Sequence, residues 1–231
     1  MQCGLDCGYF MPGAEAPGDR VGDDDGPIVG RLVVGVGGHD WLSEAPSEPL
    51  SLDKVAQKAR GARSTIYVIF ESRAGLLDAV FHDLLDRAGF KRIVTAVAHP
   101  DAREHLRGSL RAGAKVYADE RDVIRAVYSM AALHTDALAD TVKRDERGRA
   151  EGMCHLAQRL ADQGLLRADV TAEEATDILF AITGFDTFDL LFTGRGLSRD
   201  AVAHRLIAMA EGALVRRLDP AAIVAVSRAR P

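Results

Sequence analysis

The stretch VAQKARGARSTIYVIFESR, residues 55–73, decides the fold of this chain. It contains two short helical patterns joined by a few residues, the first with Val55 and Ala56 on one side and the second beginning near Arg63. A long amphipathic pattern with leucines and valines at helical spacing follows directly from Ser72. Two short helices followed by a long one are typical of a helix-turn-helix module, and we predict that this stretch forms one.

Capping signals mark helix ends along the rest of the chain. Ser72 can cap a helix with its side-chain oxygen, and Thr171 with Glu174 has the spacing of a capping box. Pro100 indicates the first turn of another helix, and Ser198 indicates a further start. The sequence therefore predicts an all-α chain. The predicted helices lie near 51–59, 62–69, 73–98, 101–118, 121–133, 136–163, 172–193 and 199–217.

The composition favours a helical globular protein. Hydrophobic residues make up 47% of the 231 residues but aromatic residues only 6%, which suits amphipathic helices better than sheets. The formal net charge of −5 argues against a protein that coats nucleic acid with its whole surface. Residues 51–73 nevertheless form a local basic patch. Its charged residues are Lys54, Lys58, Arg60, Arg63 and Arg73, against Asp53 and Glu71.

The first 40 residues differ in composition from the rest. Glycines, prolines and the acidic run at residues 23–25 cannot form a packed element, so we predict a disordered or atypical leader. Cys3, Cys7 and Cys154 show no paired framework, which favours a cytoplasmic protein. The leader has neither the pattern of an export signal nor an apolar run long enough to span a bilayer.

The residues around the two short helices resemble the N-terminal domain of TetR-type (TetR/AcrR) transcriptional regulators. The matching elements, in order, are Val55-Ala56, Ala59-Arg60-Gly61, Thr65-Ile66-Tyr67-Val68-Ile69-Phe70, Ser72-Arg73 and Leu76-Leu77. The resemblance implies a ligand-responsive repressor that binds operator DNA. It implies base or nearby phosphate contacts by Arg63, Ser64 and Thr65, a phosphate contact by Tyr67, and a backbone contact by Arg73. In the alternative interpretation, Thr65 is a capping or packing residue and Tyr67 is a core aromatic residue with a solvated hydroxyl.

Two features depart from the family pattern. Arg60 stands where the family has its turn glycine and Gly61 where it has an apolar residue, so the turn needs a left-handed non-glycine residue or a shift by one position. The family's first helix is represented only by Asp40 to Leu42. These departures define the alternative function: a helical dimeric small-molecule-binding protein that has lost DNA recognition.

The remaining helices carry apolar stripes that predict an antiparallel bundle. We expect a helix-turn-helix domain over 41–92, an effector-binding and dimerisation domain over 93–217, and a tail over 218–231. The resemblance implies that the last two helices, 172–193 and 199–217, pair with a second copy as an isologous homodimer. Two recognition helices about 34–36 Å apart would favour a near-palindromic operator.

Aromatic, methionine and histidine side chains in the middle helices are candidates for contact with an unknown small-molecule effector. These ligand-binding candidates are Tyr117, Tyr128, Met130, His134, Phe180 and Phe185. Most such residues in a helical domain are simply core residues, and His134 is also expected at a helix end.

Catalysis is the third class of function considered. Asp186 and Asp189 share one helical side, and a metal or acid–base site would combine them with His155, His204 or Cys154. No pair has the spacing of metal ligands, and carboxylates on such a helix are usually ion-paired or solvated. We therefore predict no enzyme activity, no catalytic residue, no metal site, no cofactor and no membrane partner.

Overall fold

The structure, a computed structural model, describes residues 55–57, 63–72, 75–76, 79–80, 83–84, 87, 89, 91–133 and 137–216. Within these ranges the chain is helical, as predicted. The helices with defined bounds are α1 (Arg63–Phe70), α2 (Lys91–Val97), α3 (Ala102–Asp119), α4 (Arg121–Leu133), α5 (Ala137–Asp162), α6 (Ala172–Ile182), α7 (Phe185–Phe192) and α8 (Arg199–Leu214). Residues 55–57 and the described positions from 75 to 87 are also helical.

Two predicted helices are each divided at a glycine, so their predicted bounds were wrong. The helix predicted over 73–98 is broken at Gly89, whose φ of 85° lies in the left-handed region, and α2 begins two residues later. The helix predicted over 172–193 is broken at Gly184, which is extended and precedes α7. At this second break, Arg149 of α5 donates to the Phe180 carbonyl and Tyr117 of α3 donates to the Thr183 carbonyl. In a continuous helix these carbonyls would accept hydrogen bonds from the helix backbone.

Capping residues begin several helices where the sequence placed them. The Thr171 side chain accepts a hydrogen bond from the Glu174 amide while the Glu174 carboxylate accepts one from the Thr171 amide, which completes the predicted capping box. The Ser198 side chain accepts from the Ala201 amide and so caps α8. At α3 the cap is Asp101, next to the predicted Pro100.

The buried apolar side chains form two clusters. The first joins residues N-terminal to α2 with residues of α3, α4 and α7; its members include Val55, Phe70, Leu76, Val80, Leu84, Val123, Val127, Met130 and Phe185. The second lies within the bundle; its members include Leu106, Leu110, Leu156, Leu160, Leu179, Phe188, Val202, Leu206 and Leu214. Because one apolar cluster includes Phe70 and Phe185, α1 and the bundle share a core.

An arginine of α5 holds the junction between α2 and α3. The Arg159 guanidinium donates to the carbonyl oxygens of Val97 at 2.8 Å, His99 at 2.6 Å and Pro100 at 3.0 Å. It also donates to Nδ1 of the buried His105, whose pKa is lowered to about 4, chiefly by burial. The last carbonyl of α2 and two carbonyls of the following junction therefore share one charged partner on α5.

Several predictions fall outside the described residues. These are the leader over 1–40, the tail from 218, the Arg60-Gly61 turn, and His134. Cys154 is disulfide-bonded, a pairing that the sequence did not predict, and Cys3 and Cys7 both lie in the undescribed N-terminal segment. In the part of the chain that the structure describes, every helix is too short or too polar to cross a bilayer.

Substitutions of Gly164 and Gly148 test the backbone conformations at the end and in the middle of α5. Gly164 follows the helix with φ at 63°, and its amide donates to the Ala161 carbonyl as the chain leaves the helix. Gly164→Ala should lower the free energy of unfolding by about 1 kcal/mol, since an L side chain disfavours this conformation. Gly148→Ala, inside α5 with open space around its Cβ position, should raise it by about 0.5–1 kcal/mol.

Urea denaturation followed by circular dichroism measures both changes. Shifts of the two midpoints in the same direction would contradict this assignment of the helix end.

Candidate functional site

One side of α1 is exposed and the other is buried. Ser64, Tyr67 and Val68 are exposed at three- and four-residue spacing, with Tyr67 at 45% and Val68 at 68% exposure. Ile69 and Phe70 are buried in the first apolar cluster. The helix is therefore held by one side and presents a narrow stripe of mostly short side chains on the other.

A short turn fixes the end of α1 and the start of the following helix. Glu71 has φ at 60°, and its amide donates to the Tyr67 carbonyl at 2.9 Å. The Ser72 hydroxyl accepts from the Gly75 amide at 3.0 Å, and the Ser72 carbonyl accepts from the Leu76 amide. The predicted cap at Ser72 is thus confirmed, and the left-handed residue before it sets the angle between the two helices.

The structure describes the predicted DNA-binding residues to different extents. Ser64 and Tyr67 are exposed on α1. Arg63 and Thr65 belong to the same helix, but their side chains lie outside the described parts, as does the whole of Arg73. Their contacts with DNA remain predictions.

Val68 is a candidate that the sequence analysis missed. It lies one helical turn after Ser64 and is more exposed than Tyr67. The spacing of four from Ser64 could have indicated it, but an apolar residue between Tyr67 and Ile69 is equally compatible with a buried position. An exposed aliphatic side chain on such a stripe can contact the methyl group of thymine.

Three of the six predicted ligand-binding residues meet in the bundle. The ring centroid of Phe185 lies 5.4 Å from that of Tyr117 and 5.7 Å from that of Tyr128. The ring of Phe188 lies 5.6 Å from Tyr117, and Met130 is buried in the same apolar cluster as Phe185. We call Tyr117, Tyr128, Phe180 and Phe185 the aromatic cluster. Phe180 is included because a charged residue, described next, links it to Tyr128.

That charged residue is Arg149 of α5. Its guanidinium carbon lies 3.7 Å from the centroid of the Phe180 ring, within the range of a cation–π contact. It donates to the Phe180 carbonyl at 2.6 Å and to the Thr183 hydroxyl at 2.9 Å, and it is ion-paired with Glu146. The Glu146 carboxylate also accepts from the Tyr128 hydroxyl. Arg149 therefore connects α5 to the end of α6.

The aromatic cluster combines apolar rings with protonated hydroxyls and one ion pair. Burial raises the pKa of both Tyr117 and Tyr128, so both act as hydrogen-bond donors, and Tyr117 donates to the Thr183 carbonyl at 3.1 Å. The sequence did not indicate Glu146 or Arg149, since both lie in a polar run, residues 143–149, that is typical of a solvated helix face.

Asp186 and Asp189 are ion-paired. The Arg121 guanidinium donates to both Asp189 oxygens, at 2.7 and 3.1 Å, and Arg125 donates to Asp189 at 2.7 Å and to Asp186 at 3.1 Å. The Arg121 guanidinium holds the pKa of the Asp189 carboxyl below its usual range. Among the described residues, no group of three or more His, Cys, Asp or Glu side chains could hold a metal ion.

Comparison with solved structures identifies the fold. A putative TetR-family transcriptional regulator from Rhodococcus sp. is 15% identical with a TM-score of 0.61, over 81% of this chain and 99% of that one. NalD, the secondary repressor of the MexAB-OprM multidrug efflux pump in Pseudomonas aeruginosa, is 18% identical with a TM-score of 0.65, over 85% and 100%. AibR, in complex with isovaleryl coenzyme A and operator DNA, is 17% identical with a TM-score of 0.56, over 78% and 97%.

No family model matches the chain, and no curated protein matches it significantly. At these identities the structural similarity establishes the fold alone. The chain has the all-α fold of TetR-type transcriptional regulators, as its resemblance to that family led us to expect.

Asp189→Asn tests the ion-pair network between α4 and α7. The change removes a carboxylate bound by two guanidinium groups, so it should lower the free energy of unfolding at pH 7 by about 2 kcal/mol. The pKa of Asp189 is lower in the folded chain than in the unfolded chain. Its stabilisation is therefore present above about pH 4 and is lost as the pH falls through the folded-state pKa.

Asp122→Asn is the matched control, because Asp122 pairs with the same Arg121 but has a side chain 83% exposed; it should cost less than about 1 kcal/mol. Urea denaturation at pH 7 and below pH 4 measures both variants. Equal effects of the two substitutions at pH 7, or a difference that grows in acid, would contradict the network.

Proposed function

We propose that this chain is a ligand-responsive, DNA-binding transcriptional regulator of the TetR type that acts as a dimeric repressor. The observation that carries the proposal is the exposed stripe of Ser64, Tyr67 and Val68 on α1, in a chain with the fold of such regulators. A helix with one buried side and a narrow exposed side is suited to the major groove.

The residues of α1 have distinct roles in this proposal. Arg63, Ser64 and Thr65, at the start of the helix, contact base edges or nearby phosphates, while Tyr67 donates its hydroxyl to a phosphate. Val68 contacts a thymine methyl group. Arg73 binds the DNA backbone beside this helix. Among the solved structures with this fold, AibR was crystallised with operator DNA.

The distribution of exposed apolar side chains supports a dimer. Among the described residues, the exposed large hydrophobic side chains are Tyr67 and Val68 on α1 and Leu190 and Met209 on α7 and α8. We assign the second pair to an isologous interface between two copies of α7 and α8, where their burial stabilises the dimer. Such a dimer presents two copies of α1 to a near-palindromic operator.

The aromatic cluster is the proposed effector site, together with Met130 and His134. A ligand inserted here competes with the contacts that Arg149 makes to Phe180 and Thr183, and so alters the break between α6 and α7. Phe185, which follows that break, belongs to the same apolar cluster as Phe70 of α1. The effector acts by binding one arrangement of this shared core more tightly than the other.

A salt-titrated binding assay with the promoter upstream of the chain's own gene tests the proposal. The full chain should bind this duplex more tightly than a scrambled one, and the affinity should fall steeply with salt. Tyr67→Phe should weaken binding to both duplexes by about fivefold to tenfold, because it removes one hydrogen bond to a phosphate. Val68→Ala should weaken binding to the promoter alone, because it removes a base contact.

Ser129→Ala, which removes an exposed hydroxyl from α4, is the control and should leave both affinities unchanged. Equal affinity for promoter and scrambled DNA, or a Tyr67→Phe variant that binds like the unmodified chain, would count against the proposal.

A further inference from the structure

A cleft of about 750 Å³ lies between α2, α3 and α8, away from the residues of the aromatic cluster. Its floor is formed by small or apolar residues, with Gly108 and Ala112 from α3 and Ala203 and Ile207 from α8. The volume falls in the range of small-ligand pockets, about 300–1,000 Å³. We call it the α3–α8 cleft.

Five cations and two carboxylates, Asp200 and Glu211, line the walls of this cleft. Arg107, Arg111 and Lys115 follow one row of α3 at four-residue spacing, and Arg92 of α2 and Arg199 of α8 line the same space. Like charges at this spacing destabilise a helix when nothing neutralises them. Any member of the row that the chain itself does not neutralise favours an anion from outside the chain.

The charges of the cleft are only partly balanced by the chain itself. The ion pairs are Arg107 with Glu104 and Glu211, Lys115 with Asp119, and Arg199 with Asp200. Arg92 and Arg111 have no carboxylate partner among the residues that the structure describes. Both side chains are exposed at the cleft, so they add, above an apolar floor, two positive charges that no described carboxylate compensates.

We propose that the α3–α8 cleft binds a small phosphorylated molecule. A phosphate monoester carries a charge of about −1.5 to −2 at pH 7, which matches the two arginines that have no carboxylate partner among the described residues. Guanidinium groups of Arg92 and Arg111 bind the phosphate oxygens, since arginine presents several donors in a geometry that suits phosphate. The apolar floor covers the carbon skeleton of the ligand. This site is independent of the proposed contacts with DNA.

Titration calorimetry of the full chain, without DNA, tests the site with phenyl phosphate as the probe. Phenyl phosphate should bind more tightly than inorganic phosphate, which lacks the apolar part, and than benzoate, which carries a single charge. Phenol should not bind. A chain that binds phenyl phosphate no better than phenol overturns the proposal.

Two arginine substitutions test the proposed phosphate contacts. Arg92→Gln and Arg111→Gln should each weaken phenyl phosphate binding by about tenfold, because each removes a charged hydrogen-bond donor. Arg147→Gln is the matched control, since Arg147 is exposed on α5 and does not line the cleft, and its affinity should be unchanged. Equal affinities of the two variants and the control overturn the proposal.

Ala208→Leu tests the shape of the cleft without removing a charge. Ala208 lines the cleft at an exposed position of α8, so a larger side chain fills the space without entering the core. It should weaken binding of phenyl phosphate more than binding of inorganic phosphate. If Arg92→Gln and Arg111→Gln instead weaken binding to random-sequence duplex DNA and leave phenyl phosphate binding intact, the arginines are DNA contacts and the proposal is overturned.

Discussion

The burial of Phe70 in a core shared with the bundle is the constraint on which the rest of the structure depends. Phe70 ends α1, and it belongs to the same apolar cluster as Val123 and Val127 of α4 and Phe185 of α7. Burying a side chain of this size stabilises a fold by about 1.5–3 kcal/mol. Ile69 and Phe70 are buried on one side of α1. Helical geometry therefore places Ser64, Tyr67 and Val68 on its exposed side.

The same cluster connects distant parts of the bundle to α1. Phe185 begins α7 immediately after the break at Gly184. The break is held by Arg149, which binds the Phe180 carbonyl, and by Tyr117, which binds the Thr183 carbonyl. These bonds replace backbone hydrogen bonds of a continuous helix. The polar side chains of α3 and α5 therefore satisfy the carbonyl groups that the break leaves without a helical partner. A ligand among the same rings would act on a junction that is already held by a few specific bonds.

Much of the fold could be predicted from local sequence signals. The bounds of α4 were predicted at 121–133 because its apolar stripe is regular, and the starts at Thr171 and Ser198 followed from their capping residues. The breaks at Gly89 and Gly184 were missed, since a single glycine within an apolar periodic pattern is compatible with a continuous helix. At Gly184 the decisive partners, Arg149 and Tyr117, are remote in sequence.

The candidate sites were less predictable for the same reason. Tyr117, Tyr128 and Phe185 could be selected by residue type, but Glu146 and Arg149 look like solvated charges until α5 is packed against α6. The α3–α8 cleft combines residues from three helices, and Arg92 and Arg199 are more than a hundred positions apart. Residue patterns along one helix cannot show such an arrangement, because it depends on how the helices pack.

Selection of bound duplexes from a random DNA pool by the full chain tests the central claim most directly, because it presumes no target. The account predicts enrichment of one sequence family made of two inverted half-sites whose centres lie about one helical turn apart or further. Recovery of duplexes with no common sequence, at a salt concentration that suppresses nonspecific binding, would contradict the assignment of α1 as a recognition helix.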